Sequence, residues 1–245
     1  MTLVVAASGC SSKGTEKTRS TTRPPASTTT ATYAVPGAPD RVVVRGGATL
    51  DGAPFDARFL GAVVRRGGLI TPCQGTIPSV ERGRYAITVL ADSEGSGCGA
   101  RGAQVLLWTF AGDKKLYSST AVAWPGNGRV ANFDASFSSA APVGGATAVS
   151  EFSGAVFDRG GQKLPPGTRV EAYVGVTRCG IASTRNSGDF FGYVLSVVGP
   201  DSIAGCARGG TVTFRVDGRP ATETAVNRLG APAPGSGGSF DLTLP

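Results

Sequence analysis

Two stretches of this chain carry the same kinds of residue in the same order, and each contains a pair of cysteines. Cys73 and Cys98 lie 25 residues apart, and Cys179 and Cys206 lie 27 apart. Gly97-Cys98 is matched by Gly205-Cys206. Leu106-Leu107-Trp108-Thr109-Phe110-Ala111-Gly112 aligns with Val212-Thr213-Phe214-Arg215-Val216-Asp217-Gly218, and Thr120-Ala121-Val122 aligns with Thr224-Ala225-Val226. Phe133-Asp134-Ala135-Ser136-Phe137 then aligns with Phe240-Asp241-Leu242-Thr243-Leu244, 36 residues from the second cysteine to the aspartate in one copy and 35 in the other. Before that cysteine, Gly83-Arg84-Tyr85-Ala86-Ile87-Thr88-Val89 corresponds to Phe191-Gly192-Tyr193-Val194-Leu195-Ser196-Val197. Ordered matches over so long a span mark an internal repeat.

Within each copy the apolar period is two. Tyr85, Ile87 and Val89 alternate with Ala86 and Thr88, and Tyr193, Leu195 and Val197 alternate with Val194 and Ser196. The same alternation reads Leu106, Trp108 and Phe110 as one face of a strand, with Trp108 inward and in the core. It reads Val212, Phe214 and Val216 likewise, and Val170, Ala172 and Val174 between Thr168 and Val176. Strands with one buried face show this pattern. Asp51-Gly52, Gly160-Gly161 and Asp217-Gly218 separate the runs, as turns do. The chain's 37 Gly and 16 Pro, set in short clusters, fit an all-β fold with many turns. At 245 residues it has room for two domains of about 100 residues. The expected fold is all-β, with two tandem Ig-like or prealbumin-like β-sandwich domains of six or seven short strands each.

The second copy, residues 148–245, resembles the small extracellular β-sandwich modules of the prealbumin-like or carboxypeptidase-regulatory-like kind. The likeness rests on Cys179-Gly180, the Gly-x-Tyr strand at 192–193, Gly205-Cys206, the strand from Val212 to Gly218, Glu223-Thr224-Ala225, and the terminal Phe240 to Leu244. It extends more loosely over 40–138, where Leu60 to Ile70 departs from the pattern with extra residues. The resemblance implies a non-catalytic exported domain, often repeated, and supplies no ligand.

Ala7-Ser8-Gly9-Cys10 is similar to the lipobox of bacterial lipoproteins, whose cysteine thiol takes a diacylglycerol. Nine residues precede Cys10, none of them basic, whereas an export signal carries a basic n-region and an apolar stretch of about 7–15 residues. The motif at 1–10 is therefore read as a truncated signal with Cys10 as the lipidation site. The competing reading is a chance match with a free cysteine on a tail. Residues 11–36 hold 15 Ser, Thr or Pro, too few apolar groups to offset the entropy of ordering, so 11–39 is expected to be a disordered linker. Thr28-Thr29-Thr30 is a candidate for O-glycosylation on composition alone. The expected layout is signal 1–10, stalk 11–39, first sandwich 40–138, linker 139–147 and second sandwich 148–245. No run of 18 apolar residues exists to span a membrane as a helix. The expected location is outside the cytoplasm, at the cell membrane through the lipid on Cys10.

The paired cysteines take equal places in both copies, one before the Tyr strand and one after it. Cys73–Cys98 and Cys179–Cys206 are therefore read as structural disulfides, worth about 3–4 kcal/mol each in the chain-entropy model. A metal site would need more ligands nearby, and the chain has no His, so no metal and no cofactor is expected. Zero His also excludes Ser-His-Asp and Cys-His catalysis. Paired carboxylates could still cleave glycosides, with Asp134 and Asp241 the candidates because they recur. Recurrence argues for a turn or strand-end role instead. Asp56, Asp92 and Glu94 occupy expected loops.

Net charge is +7, and 20 Lys plus Arg against 15 Asp plus Glu over 41–245 leave the folded part near +5. Arg65-Arg66, Arg82 with Arg84, and Lys114-Lys115 are the densest spots, and none has the interleaved aromatics of a base-stacking surface. No nucleic-acid partner is expected; an envelope polysaccharide or protein is. Trp124, before Gly126-Asn127-Gly128, is the candidate ligand contact, as a stacking platform for a pyranose or as edge packing on the sandwich. Phe190-Phe191 has one ring facing away from its own core, suited to a contact between units. The functional reading is a non-catalytic binding or structural module. A carbohydrate-binding accessory protein and a carboxylate hydrolase are the alternatives.

Overall fold

A computed structural model describes residues 40–75, 80–140, 148–187, 190–230 and 239–245. Cys10, the stalk and most of the expected linker lie outside the described residues. Among those described, every regular element is a strand, and the chain is all-β.

The first copy contains β1 (Val42–Leu50), β2 (Ala53–Pro54), β3 (Gly61–Arg66), β4 (Leu69–Pro72), β5 (Arg84–Val89), β6 (Gln104–Ala111), β7 (Lys114–Tyr117), β8 (Val122–Ala123), β9 (Val130–Asn132) and β10 (Ala135–Phe137). One sheet forms around β1, which pairs antiparallel with β5 and parallel with β9 and β10. The other runs β4-β3-β6-β7, with β8 also on β6. Val42, Val44, Tyr85 and Ile87 of the first sheet meet Ala62, Val64, Val105 and Leu107 of the second, a sandwich core.

The second copy contains β11 (Val149–Gly154), β12 (Val156–Phe157), β13 (Arg169–Val174), β14 (Thr177–Ser183), β15 (Arg185–Ser187), β16 (Phe190–Val198), β17 (Thr211–Val216), β18 (Arg219–Val226) and β19 (Leu242–Thr243). Its sheets are β11-β16-β15, β12-β19 and β14-β13-β17-β18. Phe152, Tyr193, Leu195 and Val197 meet Val170, Ala172, Val212 and Phe214 in the core, and Val174 is half-buried at its margin. Phe152 and Phe214 make an edge-on ring contact at 5.4 Å. The stretch from Leu60 to Ile70, read in sequence as carrying extra residues, contains the β3–β4 hairpin, which corresponds to the β13–β14 hairpin.

One strand turned out to face the other way. The β6–β7 turn is Gly112-Asp113 and the β17–β18 turn is Asp217-Gly218. Matching the turns equates Leu107 with Val212 and Thr109 with Phe214, one residue away from a match made on the glycines. A one-residue slip turns every side chain of a strand over. Val105, Leu107 and Thr109 therefore face the first core, while Leu106, Trp108 and Phe110 face outward. Trp108 is not part of its own sandwich's interior: it is half-buried, and Gly61 opposite it makes room, since a Cβ there would lie 2.2 Å from the indole nitrogen.

That outward face is covered by the second copy. Val63, Ile70 and Leu106 are 0%, 0% and 4% exposed and belong to the same apolar cluster as the second core. Ser196, on the outward face of β16, is fully buried. Polar bonds fasten the junction: Thr71 Oγ1 donates to the Ile181 carbonyl at 3.3 Å, and the Ser96 amide donates to Ser183 Oγ at 2.9 Å.

Candidate functional site: the cleft between the copies

The repeated aspartates and tyrosines close the fold. Asp134 Oδ1 accepts from the Gly47 amide at 2.7 Å, and Asp241 Oδ1 accepts from the Ala155 amide at 2.8 Å. Tyr85 OH donates to the Phe133 carbonyl, and Tyr193 OH donates to the Phe240 carbonyl at 2.6 Å. The tyrosine thus holds the residue before each aspartate, and the aspartate holds the first strand. Glycine is needed where that strand passes, because a Cβ at Gly46 would lie 2.0 Å from the Phe133 oxygen and one at Gly154 2.3 Å from the Phe240 oxygen. Burial, and then the neighbouring carboxylate, raises both phenols above the usual tyrosine range.

The disulfides are Cys73–Cys98 and Cys179–Cys206, with Cα separations of 5.5 and 5.6 Å. The loop carboxylates also have local partners. Asp56 accepts from the Gly83 amide at 2.8 Å, and Asp92 accepts from the Gly97 amide at 2.8 Å. Among the described residues no group of three His, Cys, Asp or Glu side chains converges to hold a metal ion. Trp124 is half-buried against the first core; its ring lies on Gly99, where a Cβ would come within 1.9 Å, and its Nε1 donates to Asn127 Oδ1 at 3.2 Å.

A cleft of about 560 Å³ lies between the copies. The first copy contributes Phe59, Gln74, Glu94 and Trp108, and the second contributes Arg185 and Phe190. Phe59 and Trp108 stack tilted at 4.6 Å, and Phe110, at the edge of Trp108, continues the aromatic surface. Phe190 is the outward ring of the Phe190-Phe191 pair. Arg41 pairs with Glu94 at 2.8 Å, and Lys115 pairs across the junction with Glu151. Arg185 donates to the carbonyls of Pro72 and Gln74, crossing from one copy to the other, and its burial lowers the guanidinium pKa. Alternation pointed only to the Phe190-Phe191 pair, as having a ring suited to a contact between units; Phe59, Gln74, Glu94 and Arg185 stand far apart in sequence and belong to no motif.

No protein-family model and no curated protein sequence matches the chain. Among solved structures, a streptococcal ancillary pilin is similar at 9% identity and a TM-score of 0.27 over 84% of this chain, which spans 62% of that pilin. The Bacillus anthracis TIE protein is similar at 9% identity and a TM-score of 0.22, with 83% of this chain covering 33% of it. The shaft pilin SpaA of Lactobacillus rhamnosus GG is similar at 11% identity and a TM-score of 0.21, with 84% and 97% of the two chains covered. Similarity at this level assigns neither a function nor a partner.

Proposed function

We propose that this chain is a non-catalytic module of the cell envelope, exported and held at the membrane by a lipid on Cys10, with two prealbumin-like sandwiches at 40–138 and 148–245 that act in binding or as structure. The observation that carries the non-catalytic reading is the fate of the recurring aspartates. Asp134 and Asp241, the strongest candidates for acid–base chemistry in sequence, hold the backbone amides of Gly47 in β1 and of Ala155 between β11 and β12. Two buried disulfides support export, since such bridges persist in oxidising compartments.

The aromatic and charged lining of the inter-copy cleft favours the carbohydrate-binding form of this reading, with the site at Phe59, Trp108 and Phe190 in place of Trp124. The anchor is tested by Cys10→Ala, which is expected to release the protein from membranes, with the wild-type mature chain starting at a lipidated Cys10. An intact, unlipidated Cys10 in envelope fractions, read by mass spectrometry, removes the anchor from the proposal.

A further inference from the structure

The binding form of the reading above can be taken to a ligand chemistry, because three kinds of group in the cleft wall await a partner. The first is a cation. Arg41 and Lys115 are paired with Glu94 and Glu151, but Arg185 has only carbonyl partners and no carboxylate within 4.0 Å among the described residues. A guanidinium offers five N–H donors, and carboxylates match its fork. The second is a pair of acceptors. Among the described residues Gln74 Oε1 and Glu94 Oε2 are buried with no hydrogen-bond partner, a state that is costly until a donor arrives. The third is aromatic surface on both walls, Phe59 and Trp108 from the first copy and Phe190, which is 41% exposed, from the second.

A ligand that meets all three brings an anionic acceptor, hydroxyl donors and an apolar ring face. We propose that the cleft binds a uronic-acid-bearing oligosaccharide, its carboxylate on Arg185, its hydroxyls donating to Gln74 and Glu94, and a pyranose face against Phe190. The volume of about 560 Å³ suits a short oligosaccharide. An acidic peptide would also carry a carboxylate, but an added strand needs free backbone carbonyls along a sheet edge. The carbonyls of Pro72 and Gln74 in this wall are taken by Arg185. Neutral sugars leave the guanidinium without its counter-charge.

Isothermal titration of the full chain with tetragalacturonate, a neutral galactose tetrasaccharide and an acetylated Ala-Phe-Glu-Ala amide tests the assignment. Tetragalacturonate is expected to bind, with the neutral sugar about tenfold weaker or more, as the loss of one charge-assisted bond predicts. Arg185→Gln should lower affinity for the acid by about the same factor and leave the neutral sugar unaffected. Arg185 also ties the copies together, so Phe190→Ala, on the exposed wall, serves as the second variant and should weaken both sugars without lowering the thermal midpoint. Absence of binding at millimolar tetragalacturonate, equal affinity for the neutral sugar, or indifference to Phe190→Ala in a folded protein would overturn the proposal. Preference for the peptide would overturn it in favour of an acidic protein partner. Mass spectrometry of the same mixtures separates the two readings: cleavage of the sugar defeats the non-catalytic reading, whereas no binding and no cleavage defeats the cleft assignment alone.

Discussion

Strands β6 and β17 take the same place in the two copies, and their inward faces do the same work, but their outward faces differ in kind. From β6 come Leu106, Trp108 and Phe110, and from β17 come Thr211, Thr213 and Arg215, all three exposed. The sheet of β6 is therefore apolar on both faces and requires cover twice, once from its partner sheet and once from β14 and β16 of the second copy. Strand β17 itself needs no second cover, although β14, the edge strand of its sheet, lies against the first copy. Arg215 lies 4.9 Å over Tyr173, and the carboxylate of buried Glu171 is held by Arg178 at 2.9 Å with Arg169 at 3.9 Å. The common sandwich constrains only what points inward, so two copies of one plan can diverge on the face it leaves open. In this chain that face carries the junction, and the cleft lies at its edge.

The largest expected effect tests that difference directly. Phe214→Ala should cost about 3–5 kcal/mol, the usual range for truncating a buried Phe. Phe110→Ala, at 48% exposure on the opposite face of the corresponding strand, should cost less than about 1 kcal/mol. Urea denaturation of the two variants provides the measurement. Equal losses would mean that Phe110 is interior and that β6 does not have the parity described here.

Where the copies agree, matched variants should agree as well. Tyr85→Phe and Tyr193→Phe each leave a carbonyl before the aspartate without its donor, at a cost of about 1–3 kcal/mol if no water replaces the hydroxyl. The pH dependence carries a sign. Burial, reinforced by Asp134 at Tyr85 and by Asp241 and Glu223 at Tyr193, raises both phenols, so the folded state keeps its protons longer than the unfolded chain. That contribution is fully present below the unfolded pKa of about 10 and is lost as pH rises through and above it. Each substitution should flatten the fall in stability between about pH 9 and 11, followed by denaturant melts at each pH. A slope unchanged in either variant would show that its phenol ionises as freely in the folded chain.

The inward frame was legible in sequence because each strand buries one face: Tyr85-Ile87-Val89 and Tyr193-Leu195-Val197 alternate without ambiguity, and the cysteines repeat at fixed places around them. Strand β6 was not legible, since Val105-Leu106-Leu107-Trp108 is apolar at every position and alternation cannot choose a face. The turn that could have decided it places glycine first in one copy and second in the other, and aligning glycine on glycine shifts the strand by one residue. Trp124 shows a related ambiguity. Its loop composition suits a platform or a packed edge equally, and its position over the bare backbone of Gly99 depends on a neighbour distant in sequence. The cleft is harder still, because Arg185 comes to share a wall with Arg41 and Glu94 only when the second copy lies against the first.

The smallest expected effect tests whether the junction acts as one unit. Lys115 Nζ lies 3.9 Å from the centre of the Trp108 ring and forms an ion pair with Glu151 of the second copy. The cation–π contact is worth about 0.5–1 kcal/mol at a partly exposed site. The ion pair adds about 1 kcal/mol or less, given side chains that are 19% and 38% exposed. Lys115→Met keeps the apolar stem and removes the charge, so the loss should be about 1 kcal/mol at low salt and shrink as salt is added. A double-mutant cycle with Glu151→Gln isolates the part that crosses the copies, with an expected coupling of about 0.5–1 kcal/mol. The cation–π part stays within the first copy and cancels in the cycle. If the copies separate in solution, Lys115 still reaches Trp108 but no longer reaches Glu151, and the coupling falls to zero while most of the single-variant loss persists. That outcome would leave the outward face of β6 uncovered and take the cleft away with it.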